Sequence, residues 1–122
     1  MKLAAIDIGS NAARLLLTEA TVDDKNKPSF NKISLIRVPL RLGFDVFETG
    51  RISDRKIDLL LNTMKGFSGL IKAFEVKALK ACATSAMRDA TNTKEIISLV
   101  KQETGIEIEV ISGSDEASCV FE

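Results

Sequence analysis

Apolar residues come in short blocks or alternate with polar ones through the first forty positions, and the period lengthens after residue 50. Residues 2–8, KLAAIDI, read as a strand that is apolar up to Asp7. RLLLTEA, 14–20, reads as its hairpin partner, and DDKNKP, 23–28, as a polar turn. KISLIRVPL, 32–40, then alternates like a third strand until Pro39. From Ser53 the spacing is helical: Ile57, Leu60, Leu61, Met64, Phe67, Ile71 and Phe74 recur every three or four residues along one stripe. Ser53 fits an N-cap, with Asp54 in the first turn. ALKACA, 78–83, predicts a short, mostly buried strand. Asn92 with Glu95 three residues later predicts a cap before a helix containing Ile96, Ile97 and Val100, which Gly105 stops. IEIEVI, 106–111, alternates as a fifth strand. SGSDEA opens a last helix over 112–122, with Ser114 as cap and Asp115 and Glu116 favouring its positive N-terminus.

The expected order is β-β-β-α-β-α-β-α, an α/β lobe built as an antiparallel meander extended by two βα units. Strands four and five are reached through helical crossovers, so they should run parallel beside the first. Ligands in such sheets gather outside the carboxyl ends of the strands. Three polar loops fall there: DIGSN after strand one, TSAMRDATN after strand four and SGSDE after strand five.

Composition narrows the function classes. With 122 residues the chain is one domain, or one lobe of a larger protein, and 45% apolar content argues against disorder. No apolar run approaches the roughly 18 residues of a membrane span. The opening MKLAAIDIGS reaches Asp7 too soon for a secretory signal, so it reads as a first strand in a cytoplasmic protein. Zero net charge gives no nucleic-acid footprint, and no DNA partner is expected. Residues 51–80 carry seven basic groups against three acids, while 103–122 carry six acids and no Lys or Arg. A solvated helix face explains the basic stretch more simply than a track for a long anion. The absence of histidine removes Ser-His-Asp chemistry and argues against structural zinc. Cys82 and Cys119 form no CxxC pair and read as reduced, buried thiols.

Each loop has a chemical and a purely structural reading. In DIGSN, Gly9 allows close backbone approach, Asn11 tolerates a left-handed conformation, and successive amides can form a nest for phosphate oxygens. Asp7 would then hold Mg²⁺ directly or through water. The structural reading is a Gly-Ser-Asn turn whose amides Asp7 satisfies, and this loop alone does not separate the two. Arg88 grips phosphate through two donors, or pairs with Asp89 on the surface. Glu116 accepts a proton from an attacking water, or merely stabilises a helix N-terminus.

Taken together, DIGSN-x-x-RL, LRLG, ATSAMRDATN and TGIEIEVISGSDEA resemble, in order and spacing, the N-terminal lobe of the exopolyphosphatase/guanosine pentaphosphate phosphohydrolase (Ppx/GppA) family. The resemblance runs from Lys2 to the last residue. It implies the fold of actin and the sugar kinases, two ribonuclease-H-like lobes around a cleft, of which this chain would be the first. It also implies roles. Gly9, Ser10 and Asn11 correspond to the first phosphate loop, and Asp7 to the carboxylate near the metal. Thr84 and Arg88 join the phosphate-binding set, Arg88 as the arginine on substrate phosphate. Glu116 corresponds to the base that activates water. The implied reaction is Mg²⁺-dependent release of terminal phosphate from polyphosphate or guanosine pentaphosphate, by a protein that is a homodimer in full-length form. Two positions depart from the family pattern: Ala12 follows Asn11 where a serine is usual, and Asp115 precedes Glu116 where a glutamate is usual. The family's second phosphate loop, Asp-x-Gly-Gly-Gly-Ser, would fall beyond Glu122, so a fragment of a longer enzyme, inactive alone, is expected. An actin-like kinase lobe and a non-catalytic sensor of phosphorylated nucleotides are the competing readings.

Overall fold

The computed structural model describes residues 1–111. Five strands form one mixed sheet in the order β3-β2-β1-β4-β5. They are β1 (Lys2–Ile8), β2 (Ala12–Val22), β3 (Pro28–Pro39), β4 (Ala78–Ala83) and β5 (Glu109–Val110). The helices are α1 (Leu42–Thr49), α2 (Asp54–Ala73), α3 (Ser85–Asp89) and α4 (Thr93–Thr104). As expected, β1, β2 and β3 form an antiparallel meander, while β4 runs parallel to β1 and β5 parallel to β4.

Alternation along β1 and β2 sorts side chains onto two faces. Ala4, Ile6 and Ile8 with Ala13, Leu15 and Leu17 point to one side, where they are buried with Ile57, Leu60, Met64 and Phe67 of α2 and with Ile96 and Val100 of α4. Burying one such aliphatic side chain contributes about 1.5–3 kcal/mol, so this layer is what fixes the strand register. Leu3, Ala5, Asp7, Arg14, Leu16, Leu35 and Arg37 fall on the other face. Asp7 falls on the face opposite Ile6 and Ile8, near the carboxyl end of β1, and stays partly exposed although Leu3 and Ala5 of its own face are buried.

Four features differ from the sequence expectations. Two short helices appear, α3 within the TSAMRDATN stretch that reads as a loop and α1 in a stretch where the pattern predicts no element. The alternating 106–111 stretch contributes only Glu109 and Val110 to the ladder, opposite Cys82 and Ala83 at the end of β4, while Ile106 and Ile108 are buried in the core. Asn92 precedes α4 but makes no cap bond. Its amide nitrogen instead donates to the Ile52 carbonyl at 2.9 Å, and its oxygen accepts from the Ile52 amide at 3.1 Å. Ser53, by contrast, caps α2 as expected, its hydroxyl accepting from the Lys56 amide at 3.4 Å. Gly105 ends α4 in the left-handed region, φ 77°. Cys82 is fully buried but disulfide-bonded, which corrects the expectation of a reduced thiol. The expected helix over 112–122, its Ser114 cap, Glu116 and Cys119 lie outside the described residues. No helix among the described residues is long and apolar enough to cross a membrane.

Candidate phosphate-binding site

The loop between β1 and β2 is held from behind by the chain that follows β3. The Asn11 carbonyl accepts from the Leu40 and Arg41 amides, both at 2.9 Å, and the Ser10 carbonyl accepts from Gly43 at the same distance. Arg41 sits in the left-handed region, φ 54°, and turns the chain from β3 directly into α1 so that these amides face the loop. Ser10 also shares a hydrogen bond of 2.5 Å with the Ser85 hydroxyl, which ties the first loop to the loop after β4. Thr84 is buried beside them. Its amide donates to the Ile8 carbonyl at 3.0 Å, and its hydroxyl oxygen would stand 4.0 Å from a Cβ placed on Gly9.

With the loop's carbonyls so engaged, its amides are what remain for a ligand. Gly9 donates to the Ala12 carbonyl at 2.9 Å, which closes the hairpin, whereas no described residue accepts from the Ser10 or Asn11 amide. Two adjacent unpaired N–H groups at a strand end form an anion-binding concavity. Neither Gly9 nor Asn11 has a positive φ, so the left-handed conformation expected at Asn11 is absent. An added Cβ on Gly9 would meet the Ala12 oxygen at an ordinary 3.6 Å, so glycine here leaves the mouth of the loop open rather than relieving backbone strain.

The loop opens into a hollow of about 310 Å³ lined by Asp7, Gly9, Ser10, Asn11, Ala12, Arg14, Arg37 and Ser85. Asp7 and Arg14 are directly opposed on β1 and β2, and the Arg14 guanidinium donates to the Asp7 carboxylate. Both side chains remain partly exposed, so the pair stays accessible to an incoming ion. Asp7 is the one acid lining the hollow, and no cluster of three or more metal-binding side chains occurs among the described residues. This donor set suits a magnesium ion that takes one carboxylate and completes its shell with water and phosphate oxygens, and does not suit an all-protein cage.

The structure therefore brings together Asp7, Gly9, Ser10 and Asn11, with Thr84 packed behind them. Arg88 lies elsewhere: it sits in the last turn of α3, lines a separate cavity with Met87 and Val110, and donates to the Ile111 carbonyl at 2.8 Å. That bond, rather than one to Asp89, holds its guanidinium. Arg14, Arg37 and Ser85 are the lining residues that the sequence reading did not single out. The basic stretch 51–80 is no free anion track. Arg51, Lys56 and Lys65 pair with Asp54, Asp45 and Glu103, and Lys80 is also engaged.

Known proteins resemble this chain in both sequence and fold. The pattern of the Ppx/GppA phosphatase family matches residues 21–122. Exopolyphosphatase 1 of Mycobacterium tuberculosis is 34% identical over 121 residues, covering 99% of this chain and 34% of its own. A crystal structure of the Aquifex aeolicus Ppx/GppA family member superposes with a TM-score of 0.85 at 36% identity, over 95% of this chain and 36% of that one. A Cytophaga hutchinsonii exopolyphosphatase gives 0.84 at 28% identity, over 97% and 36%. This chain thus spans about a third of the length of these relatives. A five-stranded mixed sheet with helices on it is the actin-like, ribonuclease-H-like fold of these neighbours. With the family pattern covering most of its length, the chain belongs to the Ppx/GppA phosphatase family.

Proposed function

We propose that this chain is the N-terminal lobe of a longer cytoplasmic phosphoanhydride hydrolase that releases terminal phosphate from inorganic polyphosphate, from guanosine pentaphosphate, or from both. The observation that carries the reading is the hollow beside Asp7, where two unpaired loop amides and a guanidinium converge at a strand end. Phosphoryl transfer asks the protein for alignment and charge neutralisation more than for covalent chemistry. The Ser10 and Asn11 amides hold oxygens of the terminal phosphate, and Ser85 keeps Ser10 in place. Arg14, once a ligand competes for it, moves its charge from Asp7 to the phosphate. A divalent cation held by Asp7 supplies, when bound, positive charge against the charge that builds on the leaving oxygens. Arg88 is assigned to substrate phosphate and Glu116 to accepting the proton of an in-line water, both from the family resemblance. Exopolyphosphatases among the relatives support the polyphosphate side of the reading. The 122 residues alone are inactive in this scheme, since the rest of the phosphate cage belongs to the remainder of a full-length homodimer.

The test is Glu116→Gln in the full-length protein. A general base contributes about 10²–10⁴ in rate, so turnover should fall by that factor while substrate affinity stays nearly constant. Unchanged turnover removes the base assignment. Consumption of ATP only in the presence of a phosphate acceptor would convert the reading to a kinase.

A further inference from the structure

Arg37 has no role in the scheme above, yet its position is unusual for an edge-strand residue. It lies directly opposite Arg14 in the β2–β3 pairing, and both line the hollow next to Asp7 and the phosphate loop. Across the sheet the row reads Asp7, Arg14, Arg37: one carboxylate and two guanidiniums. Asp7 is engaged by Arg14, whereas among the described residues no ion pair or side-chain hydrogen bond holds the Arg37 guanidinium. Like charges directly opposed on neighbouring strands destabilise a sheet. The next row on the same face, Ala5, Leu16 and Leu35, is apolar, so the charge doubling is confined to the rim of the hollow.

We propose that Arg37 is a substrate-binding residue that, with Arg14, clamps the phosphates trailing behind the one seated on the loop. This rests on the phosphoanhydride reading above and adds to it a residue selecting for length of the phosphate chain. A polyanion relieves the Arg14–Arg37 repulsion because each phosphate offers oxygens to both planar forks at once. Binding is therefore strongest for a ligand with consecutive phosphates, whether an inorganic chain or a polyphosphorylated nucleotide. A lone positive charge that only guards an edge strand against pairing would show no such length preference.

The experiment compares KM and kcat of full-length wild type, Arg37→Ala and Arg37→Lys on tripolyphosphate, long-chain polyphosphate and guanosine pentaphosphate, with urea midpoints recorded for each variant. Loss of a charge-assisted contact corresponds to about tenfold or more in affinity. Arg37→Ala should raise KM by that factor on the long chain and far less on tripolyphosphate and guanosine pentaphosphate, each of which offers three consecutive phosphates at its reacting end, with the effect on KM exceeding that on kcat. A rise confined to the nucleotide would contradict selection by chain length. Arg37→Lys, which keeps the charge but not the fork, should fall between. Equal KM values for all three proteins at unchanged urea midpoints overturn the clamp. A wild type inactive on every substrate overturns the hydrolase reading itself, which separates the two failures.

Discussion

A Cβ added to Gly43 would stand 2.8 Å from the Ser10 Cβ, closer than real side chains approach, and 3.4 Å from the Ser10 carbonyl oxygen that the Gly43 amide must reach. This glycine touches no ligand, yet it decides how tightly α1 backs the phosphate loop. Gly43→Ala should destabilise the fold by about 1–3 kcal/mol through overpacking and should weaken phosphate binding by displacing Ser10. Urea denaturation and a phosphate titration of the same variant check both; full stability with unchanged affinity would mean the loop is not held this way. Reading the site residue by residue also shows what the sequence made visible. The stretch Asp7 to Asn11 was legible as a turn at a strand end, because Gly-Ser-Asn interrupts two apolar runs. Its chemistry was not, because a short polar turn serves a plain hairpin as well as a ligand. Arg14 was within reach, since a tight turn at 9–11 folds β2 back so that Asp7 and Arg14 become partners. Arg37 was not, because its place opposite Arg14 depends on a β2–β3 register that shifts between Leu17 and Thr18, and no local pattern announces that shift.

Elements long enough to show a period were legible, and the short ones were not. α2 presents a buried stripe over 20 residues with a working Ser53 cap. α1 has eight residues and α3 five, and neither begins with a side-chain cap bond. α1 starts instead from the left-handed Arg41, a conformation that no cap preference signals. The fifth strand was over-read because alternation reports which face is buried, not which residues join a ladder. What fastens α1 to α2 is Asp45. Its carboxylate accepts from the Ser53 amide at 2.9 Å and pairs with Lys56 at 2.9 Å, both side chains being largely buried. Burial pushes the Asp45 carboxyl up, but the hydrogen bonds from Ser53 and the pairing with Lys56 outweigh it and hold it below the usual aspartate range. A depressed carboxyl stabilises the fold above its unfolded value, near pH 4, and that contribution disappears as pH falls through the folded value. Asp45→Asn should therefore lower the urea midpoint at pH 7 and flatten its fall below about pH 4. An identical acid limb in the variant would show that another group carries it.

At the scale of the molecule, the sheet order places the ends of β1, β4 and β5 side by side, so the loops that follow β1 and β4 share one edge with the end of β5. The β1 loop and the start of the β4 loop meet through Ser10 and Ser85. Arg88, farther along the second loop, instead anchors Ile111, the last described residue before the stretch that holds Glu116. Its guanidinium thus sets where the chain leaves β5, and a place on substrate would require it to exchange a carbonyl for a phosphate. The hollow at Asp7 is lined by described residues of this chain, which spans about a third of the relatives' length.

All of this depends on phosphate oxygens being seated by the backbone of one hairpin loop. The direct measurement is a crystal structure of the full-length protein with a non-hydrolysable imidotriphosphate. Terminal phosphate oxygens should lie at hydrogen-bond distance, about 2.7–3.2 Å, from the Ser10 and Asn11 amides, with the trailing phosphates toward Arg14. An analogue bound well away from that loop, with both amides still facing solvent, would contradict it.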